Sequence, residues 1–194
     1  RVGRSDSVSR YHSIKTVNSA TTANNYLSFE VHDASSTTAT TEVMKLSGNG
    51  AVTTPGQPAF LVRPDSAQLN IAVGSAITVV FDGTDIFDQG GDFASNTFTA
   101  PVAGRYQFSF SLRLETVDSA ASYYEINLVT HNRNYNGFIF DPDFGQDAGY
   151  FSVSGSVLAD MDASDTAYLT VNQGSGTQQT DIAVFSHFSG YLAC

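Results

Sequence analysis

Apolar and polar positions alternate most cleanly between residues 105 and 115. Tyr106, Phe108, Phe110, Leu112 and Leu114 fall on one side, and Arg105, Gln107, Ser109, Ser111, Arg113 and Glu115 on the other. Side chains of a strand point alternately to its two faces, so this period of two predicts a strand with one face in a core and one toward water or a neighbour. Ahead of it, Pro101 and Gly104 predict a tight turn, since proline presets one backbone angle and glycine tolerates the positive one. Shorter strands are predicted at 26–31 (Leu27, Phe29 and Val31 sharing a face), 42–46, 51–54, 60–62, 77–81, 97–99, 123–130, 138–140, 150–159, 167–171, 182–185 and 188–192. Turn signals stand between them, among them Gly48-Asn49-Gly50, Asp82-Gly83, Gln89-Gly90-Gly91-Asp92 and Gly174-Ser175-Gly176. No segment shows the period of an amphipathic helix. Many short strands separated by turns predict an all-β sandwich or jelly roll.

The pattern thins toward the N-terminus. Residues 1–25 are polar with isolated apolar positions at Val8, Tyr11, Ile14 and Val17, enough for a short irregular strand but not for a core, and the Ser/Thr/Ala run at 34–41 reads as a loop. Pro55, Gly56 and Pro58 make a connector. Charge breaks at the same place: residues 1–58 hold five basic and four acidic side chains, a net of +1, and 59–194 hold four and fifteen, a net of −11. Two regions follow: a β-rich stalk or attachment segment over 1–58 and a globular head over 59–194. The strands of 1–58 are too few and too thinly apolar to fold alone in water. They are expected to form an intertwined trimeric stalk in which three chains bury what one cannot; the alternative is a β extension lying on the main domain.

Composition narrows the partners. Of the 194 residues 41% are hydrophobic, with 14 Phe and 9 Tyr, and this suffices for a core. Only 14% are charged, against roughly 25% in ordinary soluble domains, which suits an extracellular or virion β protein better than a cytosolic enzyme. A net charge of −10 argues against a nucleic-acid partner, because that binding draws on a basic surface. No apolar run reaches the roughly 18 residues of a membrane span, so membrane insertion is not expected. The single cysteine, Cys194, permits no intrachain disulfide, and the opening on Arg1 rather than Met fits a fragment or a processed product.

Several segments of the head, in order, resemble the globular head domain of complement component one, subcomponent q. They are Phe81, then Asp85-Ile-Phe-Asp88, Gly91-Asp92-Phe93, Phe98-Thr-Ala-Pro-Val-Ala-Gly-Arg-Tyr-Gln-Phe108, Val153-Ser-Gly-Ser-Val-Leu158, Asp165-Thr-Ala-Tyr-Leu-Thr-Val171 and Phe188-Ser-Gly-Tyr-Leu192. The resemblance covers about 59–194 and implies a ten-stranded jelly roll like tumour necrosis factor, assembled as a compact trimer, binding through loops and side faces and not an enzyme. The run from Met44 to Phe60 is similar to the shaft-to-tip junction of bacteriophage fibre proteins, marine and cyanobacterial ones especially, and the collagen-like Gly-X-Y stalk of complement proteins is absent. Together the two resemblances imply a homotrimeric virion fibre or spike at the virion surface. It would contact other virion proteins through its N-terminal segment and a host-surface glycan or protein through its head. The alternatives are a virion protein that decorates capsid or neck without binding a receptor, and a secreted complement-type binding module.

Candidate chemistry is sparse. No Gly-x-Ser-x-Gly elbow or His-Glu-x-x-His pair is present, Cys194 is terminal, and His12, His32, His131 and His187 are scattered, so no catalytic residue is assigned. The segment His131-Asn132-Arg133-Asn134-Tyr135-Asn136-Gly137 combines side chains suited to sugar hydroxyls and stacking, and is the expected receptor-contact turn; a merely polar turn explains it as well. Asp141, Asp143 and Asp147 place three carboxylates within seven residues, the oxygen chemistry that Ca²⁺ takes. The spacing is not that of an EF-hand, so a solvated acidic loop is the expectation, with Ca²⁺ the one ion to consider and no other cofactor. Asp82, Asp85, Asp88 and Asp92 have similar standing.

Overall fold

The alternating segments pair into three antiparallel sheets in the computed structural model, which describes residues 2–3, 11–32, 41–83 and 86–194. The chain divides into two compact units, Arg1–Gln57 and Pro58–Cys194. Unit 1 is one sheet of β1 (Val2–Gly3), β2 (Tyr11–Val17), β3 (Tyr26–Val31), β4 (Thr41–Ser47) and β5 (Val52–Thr53), paired in chain order. β2 is a regular seven-residue strand where isolated apolar positions predicted only a short irregular one. It is held by its register with β3, Ser13 opposite Glu30 through Val17 opposite Tyr26, not by burial. Most of the Ser/Thr/Ala run at 34–41 lies outside the described residues.

Unit 2 continues with β6 (Ala59–Val62), β7 (Ile77–Thr78), β8 (Phe87–Gln89), β9 (Phe93–Ala94), β10 (Thr97–Thr99), β11 (Gly104–Val117), β12 (Tyr124–Thr130), β13 (Asn134–Phe140), β14 (Ala148–Met161), β15 (Thr166–Gln173), β16 (Asp181–Ile182) and β17 (His187–Leu192). They form the two sheets of a jelly-roll sandwich. One runs β13-β12-β15-β10-β9 with β7 on β15, the other β14-β11-β17-β6-β8 with β16 on β11. Twelve segments pair among the described residues, more than the ten expected, because pairings as short as Phe87–Gln89 and Phe93–Ala94 are too brief to show a period in sequence.

The core is built from the faces that the alternation predicted. Tyr106, Phe108, Phe110, Leu112 and Leu114 of β11 are buried, as are Tyr124, Ile126 and Leu128 of β12. Phe60 stacks on Phe98 at 5.0 Å and on Phe93 at 5.1 Å, and Phe188 meets it edge-on at 5.1 Å. Each fully buried ring contributes about 1.5–3 kcal/mol of transfer free energy, and ring pairs add to that. Gly190 of β17 lets these rings close up: a Cβ there would sit 2.6 Å from the Phe108 ring and 2.7 Å from Phe60. The Tyr106 hydroxyl, carried into the interior, donates to the Val102 carbonyl at 2.8 Å and so fixes the turn that Pro101 begins.

Two predicted strands are shorter as ladders than their apolar pattern. Beyond Thr78, Val79 donates to Leu169, but Val80 and Phe81 turn their N–H groups to the side chains of Gln68 and Asn96 at 3.0 and 2.7 Å. Val79 and Phe81 stay buried all the same; burial, which makes the pattern, does not require a strand partner. After Ile182 the chain turns, with Ser186 donating to the Ala183 carbonyl.

Register fixes two ends of the sandwich. Gly104 lies opposite Met161, Tyr106 opposite Leu192, and Ala59 opposite both Tyr191 and Gln89. Pro58 therefore enters at the base, with the turns at 90–92, 100–103, 131–133 and 162–165. Val117 opposite Ala148 and Tyr124 opposite Gln173 mark the apex, with the loops at 63–76, 118–123, 141–147 and 174–180.

Candidate binding surfaces

The expected receptor-contact segment does not stay together. His131, Asn132 and Arg133 form the turn between β12 and β13, at the base, whereas Asn134, Tyr135 and Asn136 open β13, an edge strand, instead of continuing the turn. The turn is closed by Thr130, whose N–H and hydroxyl both reach the Arg133 carbonyl at 2.9 Å. Asn132 donates from Nδ2 to the carboxylate of buried Asp165 at 2.9 Å and to the Asp160 carbonyl at 3.3 Å. It thus ties one basal turn to another. Arg133 lies over the half-buried Tyr135 ring, 5.9 Å from its centre.

Asp141, Asp143 and Asp147 lie on the apical loop between β13 and β14, and the first and last of these carboxylates take on local work. Asp141 accepts the Asp143 N–H at 3.2 Å, an Asx turn. Asp147 accepts the N–H and hydroxyl of Ser119 at 2.9 and 2.7 Å, which fastens two loops together. Among the described residues no three acidic, histidine or cysteine side chains gather as a metal centre. In the second acidic group, Asp88 accepts the N–H groups of Asp92 and Phe93 at 3.1 and 3.0 Å. Asp82 accepts that of Asp65 at 3.0 Å, and Asp85 lies outside the described residues. Burial, and next the charge of Asp88, hold the Asp92 carboxyl above its ordinary pKa.

Sequence reasoning missed the network that holds the apex. Asp118 is 1% exposed. Its Oδ2 accepts the N–H groups of Thr177 and Gln178, and its Oδ1 that of Ala120 at 2.8 Å. These donors, Gln178 first, lower its pKa against the opposing effect of burial. Gly176, at φ +118°, passes so close that a Cβ would collide with the Asp118 carboxylate. Behind it the Tyr124 hydroxyl meets Thr180 Oγ1 at 2.6 Å, and buried Gln173 accepts the Thr180 N–H and donates to the Gln178 carbonyl at 2.7 Å. Burial raises the Tyr124 pKa, and its hydroxyl also accepts the Asp118 N–H at 3.0 Å. Gln179 donates to the carbonyls of Asn70 and Ile71 at 3.1 Å each. Four loops are thereby joined, while Leu69 and Phe144 stand 62% and 42% exposed among them. The one visible signal was the Gly174-Ser175-Gly176 turn; Thr177 and Gln178, which meet Asp118, lie 59 and 60 residues away.

A second surface is the outward face of the β14-β11-β17-β6-β8 sheet. Tyr150, Leu158 and Tyr191 are exposed on it, and Phe185 beside it. Arg113 reaches between the rings of Tyr150 and Phe185, 4.3 and 4.8 Å from their centres, and pairs with Glu115 at 3.2 Å. Between the apolar clusters the floor is of small hydroxyl residues, Ser109, Ser111, Ser154 and Ser156, with Ser154 donating to Ser111 at 3.1 Å.

Residues 59–193 match the C1q domain family. Among solved structures, the globular domain of zebrafish complement 1qA is similar at a TM-score of 0.51 and 20% identity, over 71% of this chain and 98% of that one. Murine APRIL aligns at a TM-score of 0.49 and 8% identity, over 70% and 98%. No curated protein matches the chain.

Proposed function

The chain belongs to the C1q domain family through residues 59–193, and from that premise we propose that it is a homotrimeric, non-enzymatic virion fibre or spike protein. Its jelly-roll unit would adhere to a host-surface glycan or protein through the apex. Domains of this family are non-enzymatic binding modules that typically form trimers, in proteins that are typically extracellular or secreted. The observation that carries the adhesive reading is the apex itself. Four loops remote from Pro58 are cross-tied by hydrogen bonds, two of them to the buried Asp118 carboxylate, yet leave Leu69 and Phe144 exposed. Loops fixed before binding lose little freedom on contact, which favours affinity. With a net of −11 over 59–194, contact with an anionic cell surface rests on hydrogen bonds and apolar fit, not on bulk charge. The exposed Tyr150, Leu158, Phe185 and Tyr191 supply an apolar seam for the trimer. The 1–58 segment is read as the stalk that meets other virion proteins. Its support is the likeness of residues 44–60 to a shaft-to-tip junction.

The basal position of His131, Asn132 and Arg133 moves the proposed contact from that turn to the apex. Leu69→Ser combined with Gln178→Ala is expected to weaken binding of the full chain to bacterial cells by about tenfold, the loss of one apolar contact and one hydrogen bond. Melting should be unchanged. Tyr135→Ala combined with Asn136→Ala should leave binding intact. A chelator should have no effect, since among the described residues no three acidic, histidine or cysteine side chains gather to hold a cation. If the full chain binds no cell to which the virus adsorbs, adhesion is wrong and a decorating role takes its place. Light scattering should give about three times 20.7 kDa; a monomeric mass contradicts the trimer.

A further inference from the structure

The unit 1 sheet has one finished face and one unfinished face. Residues directly opposite in an antiparallel ladder share a face. Ile14 stands opposite Phe29, Phe29 opposite Met44, Leu27 opposite Leu46, and Leu46 opposite Val52. Six apolar side chains thus line one side. On the other, Ser13 donates to Glu30 at 2.8 Å, and Lys15 pairs with Glu30 at 3.8 Å. Lys45 and Lys15 lie over the Tyr26 ring, 4.4 and 5.8 Å from its centre, and Ser28 is fully buried among these groups. That polar side satisfies itself. On the apolar side Ile14 and Val52 remain 57% and 61% exposed, and among the described residues no apolar side chain of the unit is fully buried. A single sheet wetted on its apolar face has little to hold it together.

We propose that this face is covered by the same face of other copies of the chain, with Ile14, Leu27, Phe29, Met44, Leu46 and Val52 of neighbouring protomers packed on one another. The inference rests on the trimeric reading of unit 2. Val52 is six residues from Pro58, roughly 20 Å at full extension. A trimer joined through unit 2 therefore keeps three such faces within reach at an effective concentration on the order of millimolar. Covalent tethering makes a second copy the occupant, because a free partner must displace a face that is always present.

The test uses the full chain with Cys194→Ser, carrying either Val52→Cys on the apolar face or Thr53→Cys on the polar one. In the native protein a small maleimide should alkylate the Val52→Cys thiol about tenfold more slowly than the Thr53→Cys thiol, the protection given by a closed contact. The difference should vanish in denaturant. On long incubation under native conditions, as the contact opens transiently, a short bismaleimide should join Val52→Cys chains into covalent dimers, and Thr53→Cys chains far less. Ile14→Cys repeats the measurement should Val52→Cys fail to fold. A trimeric mass with a rapidly alkylated Val52→Cys thiol overturns this inference alone, as does protection without interchain linking. A monomeric mass overturns the trimeric reading and this inference together.

Discussion

Phe108→Asp is expected to yield no soluble protein. Phe108 is 1% exposed, with its ring 5.7 Å from those of Phe98 and Phe188 and 6.2 Å from Tyr106. Truncating a buried Phe costs about 3–5 kcal/mol. A carboxylate in its place adds several kcal/mol more, because the rings of Phe60, Phe98 and Phe188 offer it no donor and the Tyr106 hydroxyl is already given to the Val102 carbonyl. The sum reaches the about 5–15 kcal/mol that holds a typical domain together. The neighbouring ladder offers no relief: Phe108 sits opposite both Val157 and Gly190, in the middle of three strands. Phe108→Leu separates charge from shape. It should stay soluble and lose only about 1–2 kcal/mol in denaturant unfolding. Normal yield and melting for Phe108→Asp would mean that the other face of β11 is the buried one.

Asp118→Ala is expected to cost about 3 kcal/mol and to loosen the apex before the rest of the sandwich. The substitution removes the buried acceptor that the N–H groups of Thr177, Gln178 and Ala120 share, and hydrogen bonds to a charged group are the stronger ones to lose. Hydrogen exchange should speed up at 174–180 and 118–123 while β11 and β12 keep their protection. Acid should imitate the mutation. The folded pKa of Asp118 is below the usual value, so its ionised form contributes stability that is complete above the unfolded value of about 3.9 and is lost as pH falls through the lowered folded value. In Asp118→Ala that part of the acid dependence should be missing. An unchanged acid profile would show that other carboxylates dominate it.

How much could be read in advance follows from the range of the forces involved. Burial of one strand face is written locally, because period two is a property of neighbouring residues. The buried faces of β11 and β12 were therefore legible, and so was the jelly-roll class, which the family match and the sandwich both show. Strands without burial were not legible. β2 exists through pairing with β3, and β13 starts at Asn134, four residues before Phe138, where the apolar pattern predicted the strand to begin. That early start is what divided the expected contact turn between the base and an edge strand.

The sequence by itself determined which side chains leave water in unit 2, and hence the sandwich, since apolar transfer free energy depends on the residue and its alternation. It also determined that residues 1–58 carry too little apolar surface for a closed core. Only the tertiary structure decided which end of the sandwich each loop occupies, that Asn132 serves Asp165, and that Asp118 meets Thr177 and Gln178 across the apex. These are hydrogen bonds between residues about thirty and sixty positions apart, directional and short-ranged. They come into being only after the two sheets have fixed where the loops end.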